Sequence, residues 1–407
     1  MNNTNKTFCV LPWTSIAVDP SGNIQPCCIS TDSIKKTDGT PYNLGVDKIA
    51  DIYNSPDYVT MRQKMLAGTE VGGCKRCYQM EKSGDKSHRE VYNATFSIQS
   101  PKSLADPNIA YFDLRFGNLC NLNCRSCSPK HSSQLAKEVA ALKDSTNIAK
   151  FLPIKKIEID DWYNSATYEE NISVQYKNIK LIYLTGGEPT IISKNFETLS
   201  SLIELGYSKS IWLKISTNMT NTNFKFYELF PKFKSVIVLA SIDGYGNMQE
   251  YLRYPSNWEQ IDNNLRRLST VGNNIFVRPT PIIQITNLNK IVDLFEYFEA
   301  QNRSANKMVF DLRPIILETP KHLNLVHLPR EFKIKSWEKI ENWLLDKCKF
   351  QSTTFKQTML ALKYKCYQAS ETPERLIEYV EFNSILDNNR NHHLIEINPE
   401  LHSVLTQ

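Results

Sequence analysis

"LRFGNLCNLNCRSCSP", residues 114–129, holds Cys120, Cys124 and Cys127 as a C-x3-C-x2-C run. Thiolate sites for soft metals are normally closed by four ligands. Three thiols set this close leave one coordination position to a group from outside the run. The strand-like stretch "IAYFDLRF" (109–116) leads directly into it, which places the cysteines in a loop at a strand's carboxyl end.

Working outward, the same arrangement recurs. "GGEP" (186–189) follows the β-branched run "IKLIYLT" (179–185), "STN" (216–218) closes "SIWLKIS" (210–216), and "SIDG" (241–244) follows "SVIVLAS" (235–241). Two more strand candidates are "IFVRPTP" (275–281) and "MVFDLRPII" (308–316). Segments with helical spacing, such as "NFETLSSLIELG" and "WEQIDNNLRRLSTVG", lie between them. Alternating strands and helices predict an α/β fold with a parallel sheet, open or curled, of fewer units than the eight of a closed barrel. Parallel sheets bind ligands at the carboxyl ends of their strands, so four polar motifs at four such ends predict one shared pocket. Alone, "GGEP" reads as a turn, "STN" as a helix cap and Arg253 in "EYLRYP" as a solvated charge.

The chain has 407 residues, a net charge of +5 and ten cysteines. That charge is too diffuse to predict a nucleic-acid partner. No apolar run reaches membrane-spanning length and the first residues lack a signal peptide's apolar core, so a cytoplasmic location away from membranes is expected. There, clustered cysteines bind metal or act catalytically rather than pair as disulfides. Cys348 and Cys366 stand apart in helix-like sequence and read as small buried hydrophobes.

"CNLNCRSC" and "GGEP" resemble two signatures of the radical S-adenosylmethionine (SAM) superfamily, and the resemblance extends over about 109–316. It implies a partial (β/α)6 barrel in which Cys120, Cys124 and Cys127 hold a [4Fe–4S] cluster whose fourth iron is chelated by SAM. It further implies SAM contacts from Gly186, Gly187, Glu188, Pro189, Ser216, Asn218, Ser241, Asp243 and Arg253. Glycines let backbone approach a small zwitterion, Glu188 can accept from its ammonium group, and Arg253 can fork onto its carboxylate. One departure stands out: Ser126 occupies the position before the third cysteine, where many members carry an aromatic residue. A structural zinc loop borrowing a fourth ligand, with His131 nearby, is the alternative for these three cysteines.

The amino-terminal cysteines form a second set. "WTSIAVDPSGNIQPCC" reads as a β-hairpin, "ADIYNSPDYVTMRQKMLAG" as a helix, and "GGCKRCYQM" carries a C-x2-C pair. Cys9, Cys27, Cys74 and Cys77 thus make four thiolates, enough to close a site. Their spacing, with Gly22 between the first two, resembles the opening of the twitch and SPASM domains, which carry auxiliary [4Fe–4S] clusters. Those domains usually follow the barrel, whereas this pattern precedes it. Zinc bound by the same thiols is the alternative, and Cys28 is a spare for Cys27. The expected organisation is an auxiliary domain at 1–93, a linker at 94–108, the barrel at 109–316, and a helical extension with a tail at 317–407.

Two further stretches, "CKRCYQMEKSGDKSHRE" (74–90) and "LDNNRNHHLIEINPEL" (386–401), resemble segments of twitch-type proteins without an obvious chemical role. Arg89 and Arg390 read as surface ion pairs or substrate contacts, and His392 and His393 as exposed tail residues. The acidic, aromatic "EIDDWYNSATYEEN" reads as a surface loop or a substrate lid. The resemblance implies reductive cleavage of SAM and hydrogen abstraction from a peptide or small molecule, an auxiliary cluster that takes the substrate's electron, and a flavodoxin- or ferredoxin-type reductant. A redox-neutral epimerase, with a cysteine such as Cys28, Cys348 or Cys366 as hydrogen donor, and a non-catalytic metal sensor are the competing readings.

Overall fold

Strand register decides which side chains face which way. In the computed structural model, which describes residues 5–30, 32–82, 84, 86–96, 107–153, 161–368 and 372–406, the chain forms two compact units. The first comprises Met1–Asn118, Ile157–Ile215 and Lys232–Ser235; the second comprises Leu119–Lys156, Ser216–Pro231 and Val236–Gln407. Most of the expected linker, residues 97–106, and the first part of the acidic segment, residues 158–160, lie outside the described residues.

In the first unit, β1 (Ser15–Val18) and β2 (Ile24–Gln25) form the expected antiparallel hairpin. Its turn is held by Asp19, whose Oδ1 accepts from the backbone N–H groups of Ser21 and Asn23 at 2.9 and 3.1 Å. Gly22 is required there twice over: its φ is +82°, and a Cβ would lie 2.6 Å from the Trp162 ring. β1 also pairs in parallel with β3 (Tyr111–Leu114), β3 with β4 (Leu181–Leu184), and β4 with β5 (Trp212–Thr217). Phe112, Ile182 and Leu213 share one face, followed by Leu114, Leu184 and Ile215, and all six are buried. Each such side chain contributes about 1.5–3 kcal/mol on burial, which fixes the register. The opposite face carries the row Ala17, Asp113, Tyr183 and Lys214.

The single helix expected after the hairpin is two, Ile49–Tyr53 and Pro56–Leu66. Pro56 disfavours helical backbone at Ser55, and the Ser55 side chain instead caps the second helix by accepting from Tyr58 N–H. The acidic segment is not a loose loop where it is described. Trp162 and Tyr168 are buried with Phe116, and Trp162 Nε1 donates to the Pro20 carbonyl at 3.2 Å.

In the second unit, β6 (Ser235–Ala240) and β7 (Ile275–Pro279) pair in parallel. They are joined through the Trp258–Leu268 helix, which Asn257 caps and which buries Ile261, Leu265 and Leu268. "MVFDLRPII" is not one strand. Only β9 (Ile315–Ile316) forms, paired with β8 (Ile282–Ile283), beside an isolated bridge at Phe310. Pro314 between them has no N–H for a ladder.

Three long helices follow, Arg330–Asp346, Thr353–Gln368 and Pro373–Arg390. The expected exposed tail is instead packed. Asn391 closes the last long helix in the left-handed region at φ +48°, and the chain then buries Leu394, Asn398 and Leu401. Cys348 and Cys366 are buried as expected. Among the described residues no helix is long and apolar enough to cross a membrane.

Candidate functional site

The three-cysteine loop belongs to the second unit. Cys120 and Cys124 are buried around Leu122, with Cys127 packed against them. Ser132 explains the tight wrap: its Oγ donates to the Leu122 carbonyl at 2.7 Å and accepts from Leu135 N–H, capping the Ser133–Leu142 helix. Residues between the cysteines are also held. Asn123 N–H donates to the Tyr254 carbonyl and Arg125 N–H to the Leu252 carbonyl, so the backbone on both sides of Cys124 is fixed.

Asn218 Nδ2 donates to Asn121 Oδ1 at 2.9 Å, while Asn121 Nδ2 donates to Thr220 Oγ1 at 2.8 Å. The Asn218 side chain therefore braces the cysteine loop. Asp243 is fully buried and accepts from Arg253 Nε at 2.8 Å and from Ile282 N–H at 2.9 Å. Arg253 Nη1 stands 3.9 Å from Cys124 Sγ, a charge-assisted N–H···S contact. Burial works against its charge, but Asp243 and then Cys124 more than offset this and raise its pKa. Burial raises Cys124, with Arg253 opposing; burial and then the neighbouring thiols push Cys127 up to about 12.

The other motifs are placed as follows. Gly186–Pro189 lies at the carboxyl end of β4 in the first unit. Gly186 has φ +87°, and a Cβ there would meet Arg115 Cβ at 2.9 Å, so only glycine permits this close approach. Glu188 is buried and accepts from Thr190 N–H at 3.1 Å and Thr190 Oγ1 at 2.7 Å, capping the short Pro189–Ile191 turn. Ser216 is the penultimate residue of β5, just before Thr217, and Ser241 N–H donates to the Thr217 carbonyl at 2.8 Å.

Cys9, Cys27, Cys74 and Cys77 all belong to the first unit and line one cavity with Leu11, Tyr78, His88 and Arg89. Cys28 does not line it. Burial, with the other thiols adding to it, pushes Cys27 up to about 11 and Cys74 to about 12, and raises Cys9 as well. Cys28 Sγ instead stands 3.8 Å from His88 Nδ1 and bonds the Asp113 carboxylate, which is fully buried and also accepts from Tyr111 OH at 3.4 Å. Burial holds the Asp113 pKa above the usual carboxylate range and depresses His88 to about 4.

Sequence reasoning missed the groups that hold these loops. Arg125, between Cys124 and Cys127, is buried, with Nη2 at 2.6 Å from Asp387 Oδ1, Nη1 at 2.8 Å from Asn383 Oδ1, and its guanidinium over the Tyr251 ring. Arg390 and Arg89 are not surface ion pairs: they are buried against Glu138 and Glu81. His392 packs edge-on to Tyr251. The one signal in the sequence was that both arginines lie in the two stretches that had no role.

Both thiol sets suit iron–sulfur clusters. Crowded, buried thiols with raised pKa values stay protonated unless a strongly positive group binds them. Among the described residues Cys9, Cys27, Cys74 and Cys77 line one cavity, and four cysteine thiolates are the ligand set of a closed [4Fe–4S] cluster.

The Radical SAM superfamily model matches residues 114–298, and the SPASM model, an iron–sulfur cluster-binding domain, matches residues 9–78. None of the curated proteins matches. Similar solved structures include hexahistidine-tagged anSMEcpe with bound AdoMet, at 15% identity over 56% of each chain with a TM-score of 0.37. Another is Streptococcus suis SuiB bound to S-adenosylmethionine, at 14% identity over 79% of this chain and 68% of that one, TM-score 0.39. A third is native anSMEcpe with bound AdoMet, at 15% identity over 59% and 62%, TM-score 0.40. The chain thus spans 56% and 62% of these two anSMEcpe chains. With its barrel motifs and its four-thiol site both matched, the chain belongs to the radical SAM superfamily, as a SPASM/twitch-type member that carries the iron–sulfur domain at its amino terminus and uses a [4Fe–4S] cluster, an auxiliary cluster and SAM.

Proposed function

We propose that this enzyme removes hydrogen from a peptide or small-molecule substrate and passes the remaining electron to its auxiliary site, a net oxidation. When bound, the three-thiolate cluster and SAM supply a 5′-deoxyadenosyl radical that takes a substrate hydrogen, and the auxiliary cluster supplies an electron acceptor. Cys120, Cys124 and Cys127 would hold the first cluster, and Cys9, Cys27, Cys74 and Cys77 the second. The observation that carries the reading is the cavity ringed by four thiols. Four protein ligands leave no iron open to substrate, which favours electron transfer over substrate ligation.

The residues proposed to serve the first cluster and SAM divide the work. Arg253, anchored by Asp243, places a positive charge beside Cys124. Asn218 and Asn121 keep the loop wrapped. Gly186 lets backbone come close at the carboxyl end of β4, where Glu188 and its neighbours are proposed to meet the amino-acid part of SAM. Ser216 and Ser241 are proposed to meet its ribose. The proposed reductant is a flavodoxin- or ferredoxin-type protein, and the proposed location is the cytoplasm.

A redox-neutral epimerisation is the second reading, favoured by Cys28 beside His88 and Asp113. There the substrate carbon radical would take the Cys28 S–H hydrogen. The thiyl radical left behind would regain an electron from the auxiliary cluster and a proton from Asp113. The test is anaerobic incubation with reductant, SAM and candidate substrates in deuterated buffer. Oxidation predicts a product lighter by two hydrogens, insensitive to Cys28→Ala. A product of unchanged hydrogen count that gains one deuteron and is abolished by Cys28→Ala would establish the second reading instead. 5′-Deoxyadenosine absent under every reductant would overturn both.

A further inference from the structure

Two arginines far apart in sequence make the same set of bonds. Arg390, on the Pro373–Arg390 helix, bonds Glu138 through Nε at 2.8 Å and Nη2 at 2.6 Å, and Nη2 also donates to the Asn123 carbonyl at 2.7 Å. Asn123 immediately precedes Cys124. Arg89, on the His88–Thr95 helix, bonds Glu81 through Nε at 2.9 Å and Nη2 at 2.5 Å, and Nη1 donates to the Phe8 carbonyl at 2.8 Å. Phe8 immediately precedes Cys9. Each cysteine is also fixed on both sides by other bonds: Asn93 accepts from Val10 N–H and donates to the Phe8 carbonyl, while Tyr254 and Leu252 accept from Asn123 and Arg125.

We propose that Arg390–Glu138 and Arg89–Glu81 are positioning clamps, each setting the orientation of one ligand cysteine and so tuning one cluster independently of the other. The proposal rests on the iron–sulfur assignment of both sites. The glutamate fixes the plane of the guanidinium, and a further N–H, on Nη2 of Arg390 and on Nη1 of Arg89, then holds the carbonyl that precedes the thiolate ligand. Rotation of that peptide would swing the cysteine Sγ and change the backbone N–H groups facing the cluster sulfurs, which set reduction potential. Both pairs are largely buried, so their charges are poorly screened and their geometry is retained. Lysine can supply the charge but not the planar, bidentate grip on the carboxylate that fixes the direction of the bond to the carbonyl.

The test uses Arg390→Lys and Arg89→Lys in the full chain, each reconstituted anaerobically, with EPR-monitored redox titration of both clusters and a SAM-binding titration. Arg390→Lys should weaken SAM binding by about 10–100-fold, the usual cost of losing a group that holds a ligand, and shift only the SAM-binding cluster's potential. Arg89→Lys should shift the auxiliary cluster's potential and spectrum while leaving SAM affinity unchanged. Two lysine variants that match wild type in both potentials and in SAM affinity would overturn the proposal, because charge alone would then suffice. Either variant moving both clusters alike would overturn it too, because the arginine would then be general scaffolding. Failure of the assignment underneath looks different: wild-type protein would bind no iron and give no cluster signal, before any variant is compared.

Discussion

The two cysteine sites of this chain are gripped in the same way but assembled differently. Cys120, Cys124 and Cys127 come from one eight-residue loop, and side chains inside that loop, Asn121, Asn123 and Arg125, tie it to its surroundings. Cys9, Cys27, Cys74 and Cys77 come from an amino-terminal turn, the end of a hairpin, and the start of the Lys75–Lys82 helix. A local loop can hold its shape before a cluster arrives. A site drawn from three separate elements depends on its ligands' partner to draw them together, as structural metal sites do.

The largest expected effect separates the two sites outright. Replacing Cys120, Cys124 and Cys127 together by Ala should abolish 5′-deoxyadenosine formation and leave about four irons per chain of the eight that two cubes hold, by iron assay. Replacing Cys9, Cys27, Cys74 and Cys77 should also remove about four irons. That variant should still cleave SAM but yield no oxidised product, and its unfolding midpoint should fall further than that of the triple variant. Equal loss of stability in the two variants would erase the contrast between local and assembled sites.

A smaller effect probes the charge at Cys124. Arg253→Met leaves Asp243 buried without its ion-pair partner, a loss that typically costs about 3–5 kcal/mol. Urea unfolding should show it, and the double variant Arg253→Met/Asp243→Leu should recover part of the loss. The smallest effect lies away from both sites. His322 is buried against Phe151 and Phe382 at ring distances of 5.0 and 4.6 Å, and burial depresses its pKa from 6.5 to about 4. Unfolded, it takes a proton near pH 6.5; folded, it does not until about pH 4. Stability should therefore fall as pH drops across that window, and His322→Leu should flatten the fall in pH-resolved urea titrations.

What could be read in advance follows the same division between local and assembled. The cysteine loop, the β1–β2 hairpin and the cores of five of the six strand candidates were legible because each depends on neighbouring residues and a period of two. The run ending in "RPII" misled because its hydrophobic pattern outweighed Pro314. The bracing of the site was not legible. Glu138 and Arg390 are 252 residues apart, and nothing in either neighbourhood names the other. Asn218 reads as a SAM contact because short polar residues serve bracing and binding equally well; its bond to Asn121 adds a bracing role that the sequence did not show.

The separation of 267 positions between Asn123 and Arg390 has a consequence for how the molecule is made. The cysteine loop leaves the ribosome long before the helix that grips it, and contacts of such separation form late. During synthesis the loop therefore exists before its clamp does. Closing of the Pro373–Arg390 helix over Asn123 and Arg125 then completes the bracing of the loop.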